Sequence, residues 1–225
     1  MTETNPTIIW TTGKRAALAV VLAIWFAAAV YIGGAHLLPN TGANLIAPIA
    51  LTVFVPVMAF LALYLVSGGF RRFVLAQDIE TLTMLQHWRI IGFAFLPLYF
   101  YGALPGLFAW PAGLGDVAVG LAAPLVILRL RRDPAYATSA GLVRYHYLGL
   151  LDFAVAFATV GLSAGAYPAL TSYGVTSAAM DVWPLNIFPS FGVPIFIILH
   201  LTVLLKVWEL RRRSATPVVG GLEAA

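Results

Sequence analysis

The chain alternates between long apolar runs and short clusters of charged residues. A bilayer core of about 30 Å needs about 20 consecutive apolar residues in a helix. Six runs of roughly this length follow one another along the 225 residues. The pattern predicts an all-α, six-span polytopic membrane protein whose residues 1–225 form a single transmembrane domain. The predicted spans are residues 16–38, 45–69, 88–110, 112–130, 146–168 and 187–209.

Composition agrees with a membrane protein. Hydrophobic residues make up 61% of the chain and charged residues 10%, whereas soluble domains contain about 25% charged residues. A soluble globular protein and a disordered chain are therefore excluded. The sequence has no cysteine, which excludes disulfides and thiolate metal sites. The net charge of +4 does not indicate nucleic acid as a partner, because the basic residues lie in short clusters between the apolar runs.

The basic residues predict the orientation in the membrane. All 13 of them lie on one side of a six-span arrangement, and basic loops favour the cytoplasm. We therefore predict cytoplasmic N- and C-termini and a location in the bacterial cytoplasmic (inner) membrane. The clusters are Lys14 and Arg15; Arg71, Arg72 and Arg89; Arg129, Arg131, Arg132 and Arg144; and Lys206, Arg211, Arg212 and Arg213.

Three segments lie between the predicted spans. Residues 38–44 form the turn of a hairpin between the first two spans, and residues 169–186 form the longest outer loop. Residues 73–86 carry leucines and an isoleucine on one helical face and polar residues elsewhere. That pattern predicts a short amphipathic helix on the cytoplasmic surface.

Among the ionisable residues within the predicted spans, three stand out because they lie well inside the bilayer, namely Asp116, Asp152 and His200. Such residues are costly in a bilayer and are functional candidates by default. Each aspartate belongs to a stripe of small or polar residues at alternating spacings of three and four, which favours an orientation into the bundle. The stripes are Gly113, Asp116, Gly120 and Ala123 in the fourth span, and Gly149, Asp152, Ala156, Thr159 and Ser163 in the fifth.

These residues admit two interpretations. In the first, Asp116, Asp152 and His200 form a polar pocket or a proton path at successive depths. In the second, each one is a hydrogen-bond partner that holds helices together. Arg89 also has two interpretations. It either pairs with Asp152 across the bundle or anchors the chain at the cytoplasmic surface.

Two further histidines are second-tier candidates. His87 lies beside Arg89 at the cytoplasmic mouth, and His146 lies at the matching end of the fifth span. Only these two match in depth as a haem would require, and they lie at the membrane surface. The sequence contains no His-x-x-x-His or Glu-x-x-His motif for a metal. We therefore expect neither a cofactor nor a metal site.

Several passages resemble a family of uncharacterised bacterial six-span integral membrane proteins. They are Gln-His-Trp-Arg-Ile-Ile-Gly at 86–92, the glycine-rich passage 102–116 that ends in Gly-Asp, Gly-Leu-Leu-Asp-Phe at 149–153, and 188–194 with Leu199-His200. The resemblance covers roughly residues 85–205. It implies no activity, but it adds weight to Arg89, Asp116, Asp152 and His200, which lie within the matching passages. The 102–116 passage is also similar to substrate-binding subunits of vitamin importers.

The sequence favours a small-molecule binding or transport-type protein with a polar intramembrane pocket. One alternative is a membrane enzyme or cofactor-binding subunit that uses His200 with an acidic residue, although we favour a non-enzymatic role. The other is a structural subunit of a larger membrane complex. The expected partners are the lipid bilayer and a small-molecule ligand, without nucleic acid, and the sequence leaves open partner subunits or a homo-oligomer.

Overall fold

The structure, a computed structural model, describes residues 11–38, 48–165, 167, 169 and 174–215. Over these residues the chain is helical, and five helices are long and apolar enough to cross a membrane. The predicted all-α fold class is therefore confirmed for the described residues, and the long apolar helices support a membrane protein. The five helices are Thr12–Gly34, Pro48–Val66, Gly106–Arg132, Ala140–Leu162 and Phe188–Ser214. The predicted hairpin turn and outer loop, 38–44 and 169–186, lie partly outside the described residues.

The α-helices of the described part are labelled in chain order. They are α1 (Thr12–Gly34), α2 (Pro48–Val66), α3 (Gly68–Leu75), α4 (Ile79–Leu85), α5 (Phe95–Phe100), α6 (Gly106–Arg132), α7 (Ala140–Leu162) and α8 (Val193–Ala215). A 3₁₀ segment, Gln86–Ala94, joins α4 to α5, and shorter 3₁₀ segments lie at Pro134–Thr138 and Ser177–Asp181. A π-helical turn, Phe188–Gly192, leads into α8.

The predicted third span, 88–110, is wrong at both ends. The chain is helical without interruption over residues 79–100, through α4, the 3₁₀ segment and α5; we call this stretch the composite helix. Residues 101–105 then form a turn in which Gly102 has a φ of +69°, a conformation that glycine adopts readily. Pro105 precedes the first residue of α6. Residues 106–110 therefore begin the next helix, and the apolar run across the turn conceals the break.

The predicted amphipathic surface helix, 73–86, is not one helix. It is broken after Leu75, and Asp78 caps a new helix by accepting a hydrogen bond from the backbone N–H of Thr81 at 2.7 Å. Ile79 and Leu82 are buried in a core cluster with side chains of α6, α7 and α8. The apolar face therefore packs against other helices, because this segment opens the composite helix.

The composite helix packs tightly against α6. A Cβ atom on Gly120 would lie 2.9 Å from Cγ1 of Ile90 and 3.0 Å from its backbone nitrogen. Likewise, a Cβ atom on Gly113 would lie 3.2 Å from the carbonyl oxygen of Gly92. Bulkier residues would force these helices apart, so the predicted small-residue stripe of this span does face the protein.

Basic residues of separate segments meet at one end of the bundle. Nε of Arg131 donates to Oε1 of Glu80 at 2.6 Å, and Arg211 donates to the carbonyl oxygen of Thr138 at 2.7 Å. The ammonium group of Lys206 donates to the carbonyl oxygen of Gln77. The starts of the composite helix and α7 thus lie beside the ends of α6 and α8. We call this the basic end of the bundle.

Helix α1 lies at the edge of the bundle, and most of its side chains are exposed. Two hydrogen bonds attach α1 to residues 186–190, which lead into α8. The indole N–H of Trp25 donates to the carbonyl oxygen of Ser190 at 2.9 Å. The amide of Asn186 donates to the carbonyl oxygen of Ala29 at 2.7 Å. The polar interior described next is built without α1.

Candidate functional site

The 3₁₀ segment places a fully buried arginine inside the bundle. A 3₁₀ helix has three residues per turn, so side chains three apart stack along one line. Gln86, Arg89 and Gly92 share such a line and are buried, as is Phe95 directly after the segment. Arg89 itself has no exposed surface. A 3₁₀ run of nine residues is much longer than usual, and such runs within a helix often mark functional positions.

Arg89 joins the two intramembrane aspartates. Its Nε donates to Oδ1 of Asp116 at 2.7 Å, and one terminal nitrogen donates to Oδ2 of Asp152. The other terminal nitrogen donates to the carbonyl oxygen of Gly149 at 3.1 Å. The guanidinium lies over the ring of Phe153, 3.9 Å from its centroid, within the range of a cation–π interaction. The arrangement uses the planar fork of arginine, which lysine lacks.

Three glycines provide the space for this cluster. A Cβ atom on Gly92 would overlap the carboxylate side chain of Asp116, and one on Gly115 would overlap that of Asp152. A Cβ atom on Gly149 would overlap the ring of His200. These positions therefore require glycine for a steric reason, because a neighbouring side chain lies against each glycine backbone.

A chain of hydrogen bonds leads from Arg89 through two histidines. One terminal nitrogen of Arg89 lies 3.1 Å from Nε2 of His200. Nδ1 of His200 lies 2.8 Å from Nδ1 of His146. Nε2 of His146 lies 3.5 Å from Oγ1 of Thr83, which donates to the carbonyl oxygen of Ile79 at 2.7 Å. The chain thus runs from Arg89 to the first turn of the composite helix, towards the basic end.

Arginine fixes the direction of each bond in this chain. A guanidinium has only donors, so Nε2 of His200 accepts. A neutral His200 then carries its proton on Nδ1 and donates to Nδ1 of His146. Nδ1 of His146 accepts, so its own proton lies on Nε2 and points to Thr83. When both histidines are neutral and each adopts this one tautomer, every hydrogen-bonding group from Arg89 to Thr83 has a partner.

The two aspartates form the charged wall of a cavity. The cavity has a volume of about 290 Å³ and is lined mainly by apolar side chains of α2, α5, α6 and α7 and of the 177–193 region. Asp116 and Asp152 line it, while Arg89, His146 and His200 do not. Their side chains are 15% and 12% exposed. Arg89 bonds to one oxygen of each carboxylate, which leaves Oδ2 of Asp116 and Oδ1 of Asp152 without a hydrogen bond from it.

The charges of this cluster do not cancel. One guanidinium faces two carboxylates, and the bonding pattern above makes both histidines neutral. With both carboxylates ionised, the cluster carries a net charge of −1. A buried charge without a partner is costly, so this site favours one more positive charge, either a proton or a cationic ligand.

The structure brings together five of the six predicted site residues. Arg89 contacts Asp116, Asp152 and His200, and His146 contacts His200. One guanidinium contacts both acids and His200, so the three residues form one cluster. Their successive depths in the bilayer stay a prediction.

The two second-tier histidines lie apart. Nδ1 of His87 lies 2.9 Å from the carbonyl oxygen of Gly120 on the other side of the composite helix. His146 lies against His200 instead, with the two Nδ1 atoms in one hydrogen bond. Arg89 is not a surface anchor. Among the described residues, no group of three or more His, Asp or Glu side chains is placed to hold a metal ion.

Sequence reasoning missed three contributors to this site. Thr83 ends the histidine chain, Phe153 lies under the guanidinium, and Gln86 donates to the carbonyl oxygen of Phe196 at 3.2 Å. The signal that points to Thr83 and Gln86 is that Thr83, Gln86 and Arg89 follow one another at intervals of three residues. A period of three is the mark of a 3₁₀ helix, and the amphipathic interpretation of 73–86 concealed it.

A protein-family model with the description "Domain of unknown function (DUF8737)" matches residues 46–208. The matched stretch begins after α1 and contains the composite helix, the Arg89 cluster and the cavity. Comparisons with curated proteins and with solved structures give no match.

Proposed function

The chain belongs to the DUF8737 family, and we propose that it is a multi-pass membrane protein that binds a small molecule in the cavity beside Asp116 and Asp152 and carries it in a transport cycle. The single observation behind this proposal is that two carboxylates, held by one buried arginine, face a cavity that is otherwise apolar. Ligand sites have this composition, with a mainly hydrophobic lining and a few placed polar groups.

The proposal includes a membrane topology. The composite helix is the sixth span, because its α-helical and 3₁₀ parts together extend about 35–40 Å, enough to cross a hydrocarbon core of about 30 Å. The basic end faces the cytoplasm, as the positive-inside rule requires. Both termini then lie in the cytoplasm, and the membrane is the bacterial inner membrane.

Stability alone does not account for the Arg89 cluster. Replacing a buried ion pair by apolar residues of similar volume is often neutral or stabilising. A cluster that served only packing would also be enclosed on every side. Here both carboxylates are partly exposed to a cavity. The role of a purely structural subunit is therefore less well supported than ligand binding.

The enzyme alternative is also less well supported. It assigns the chemistry to His200, and a catalytic base must come within hydrogen-bond reach of its substrate. His200 does not line the cavity, and both of its ring nitrogens lie against protein groups. A ligand in the cavity would contact the carboxylates before it reached His200.

The histidine chain positions Arg89 rather than carrying protons to the carboxylates. It connects Arg89 with Thr83 near the basic end. A guanidinium has only donors and keeps its proton, so a proton on His200 cannot pass through Arg89 to Asp116 or Asp152. We propose that the two carboxylates exchange protons with the cavity, which both of them line, when no ligand cation is present.

Filling the cavity tests ligand binding. Ala156 lines the cavity, whereas Ala154 on the same helix is exposed on the opposite side. Native mass spectrometry of the protein purified from its membrane should show a bound small molecule in the wild type and in Ala154→Phe. The same adduct should be absent from Ala156→Phe. Identical adducts in all three proteins, or no adduct in any of them, would contradict the proposal.

A further inference from the structure

We propose that the cavity binds an amphipathic organic cation: a primary or secondary ammonium group on an apolar, preferably aromatic, body. This inference rests on the proposed function, since it names the ligand class of the same cavity. It follows from the charge of the site, from the two carboxylate oxygens that Arg89 does not use, and from the side chains around the rest of the cavity.

The charge of the site selects a cation. The charged groups of the cluster come from three elements, namely Arg89 on the composite helix, Asp116 on α6 and Asp152 on α7. His200 on α8 accepts a hydrogen bond from Arg89 and is neutral in that arrangement. One positive charge faces two negative charges, so a ligand with a charge of +1 makes the site neutral. An anionic ligand such as a phosphate or carboxylate would raise the uncompensated negative charge.

The two partly exposed carboxylates favour a hydrogen-bond donor as the ligand. Oδ2 of Asp116 and Oδ1 of Asp152 accept no hydrogen bond from the guanidinium that holds both side chains. A protonated amine has two or three N–H groups to donate to the carboxylates of Asp116 and Asp152, which line the cavity. A quaternary ammonium group lacks these donors and would bind less well. Arg89 keeps the carboxylates in position before the ligand arrives, which reduces the cost of ordering the site.

The remaining lining selects an apolar body. Phe95, Phe108, Phe153 and Phe157 surround the cavity together with the small residues Ala112 and Ala156. Aromatic faces attract a nearby cation as well as an apolar chain. The volume of about 290 Å³ lies at the small end of ligand pockets. A sugar or another polyol would leave many hydroxyl groups without partners against these rings.

Three compounds of equal shape test the ligand class on the unmodified protein. They are 4-phenylbutylamine, its alcohol analogue 4-phenylbutan-1-ol, and its carboxylate analogue 4-phenylbutanoate, each titrated by calorimetry into the full chain in detergent. We expect the amine to bind at least about tenfold more tightly than the alcohol, since hydrogen bonds to charged groups exceed neutral ones by about that factor. We expect no binding of the carboxylate.

Asparagine variants identify the partner of the ammonium group. Asp116→Asn and Asp152→Asn keep an oxygen for Arg89 while removing the charge, and each should weaken amine binding about tenfold or more. Glu209→Gln is the matched control, because Glu209 pairs with Arg213 within α8 and outside the cavity; its amine affinity should be unchanged.

Equal binding of the amine and the alcohol would overturn the ligand class and leave the proposed cavity function intact. Binding of none of the three compounds would also overturn the ligand class, while the adduct experiment with Ala156→Phe decides the proposed function separately. Amine binding that is unchanged in Ala156→Phe and in both asparagine variants would contradict both.

Discussion

Replacing Arg89 by methionine removes the cation at the centre of the cluster while keeping an unbranched side chain. The change leaves Asp116 and Asp152 facing each other without their shared partner. It also removes donors from the carbonyl oxygen of Gly149 and from Nε2 of His200. We expect Arg89→Met to be one of the most destabilising single substitutions in the protein.

The magnitude follows from the lost contacts. Arg89 makes two hydrogen bonds to carboxylates, and bonds to charged groups contribute about 1.5–3 kcal/mol each. Breaking a buried pair by removing one partner costs about 3–5 kcal/mol, because the remaining charge stays buried. The carboxylates are partly exposed to the cavity, and water there offsets some of the cost. We therefore expect a loss of about 3–5 kcal/mol in the free energy of unfolding.

Reversible unfolding of the purified protein in mixed detergent micelles measures this loss. Arg144→Met is the matched control, because the Arg144 side chain is exposed and its Nε donates only to the carbonyl oxygen of Ala140 one turn away. It should change stability by less than about 0.5 kcal/mol. A loss below about 1 kcal/mol for Arg89→Met would refute the reasoning, since surface substitutions already reach about half that value.

A triple variant separates the buried charge from the lost packing. Arg89→Met combined with Asp116→Asn and Asp152→Asn removes all three charges together. Because the cost of Arg89→Met comes mainly from two uncompensated carboxylates, the triple variant should recover at least about half of the lost stability. A triple variant no more stable than Arg89→Met would show that packing of the arginine side chain, rather than charge, accounts for the loss.

Three further predictions follow from the helix contacts. Gly120→Leu should lower the free energy of unfolding by about 3 kcal/mol through overpacking, whereas Gly34→Leu, whose Cβ would meet nothing within 4 Å, should not; equal effects in thermal unfolding would place the stripe against lipid. A reporter fused after Arg132 should be cytoplasmic and one near Ser177 external, and the reverse result would overturn the topology. His146→Phe removes the acceptor that faces Nδ1 of His200 and should lower the free energy of unfolding by about 1–3 kcal/mol, because a buried donor then has no partner; unchanged thermal unfolding would show that this hydrogen bond does not stabilise the bundle.

Much of the architecture could be predicted from the sequence because membrane helices follow simple constraints. Length and apolarity indicate the spans that now appear as α1, α2, α6, α7 and α8. Small residues at helical spacing indicate which faces of α6 and α7 turn inward. The cost of charge in a bilayer singles out Asp116, Asp152 and His200, and all three belong to the cluster.

The composite helix could not be predicted in the same way. Its buried residues change from a period of 3.6 to a period of three at Gln86, and they include Gln86 and Arg89, which a search for apolar α-helical periodicity does not follow. Arg89 therefore lies next to the start of the predicted span 88–110, where arginines commonly anchor a helix at the cytoplasmic surface. The contact of His146 with His200 depends on how α7 and α8 pack, which a count of residues from the nearest arginine does not determine.

Labelling of substituted cysteines tests the ligand cavity most directly, because the natural chain has no cysteine to interfere. The partly exposed carboxylates of Asp116 and Asp152 require water in the cavity when no ligand is bound. A cysteine that lines this hydrated cavity should therefore form a thiolate and react. We predict that Ala156→Cys in membranes reacts with a positively charged methanethiosulfonate and that 4-phenylbutylamine protects it. Ala154→Cys, which is exposed and faces lipid in the proposed topology, should not react. Equal reactivity at the two positions, no reaction at Ala156→Cys, or a reaction that the amine does not slow would contradict a ligand cavity at Asp116 and Asp152.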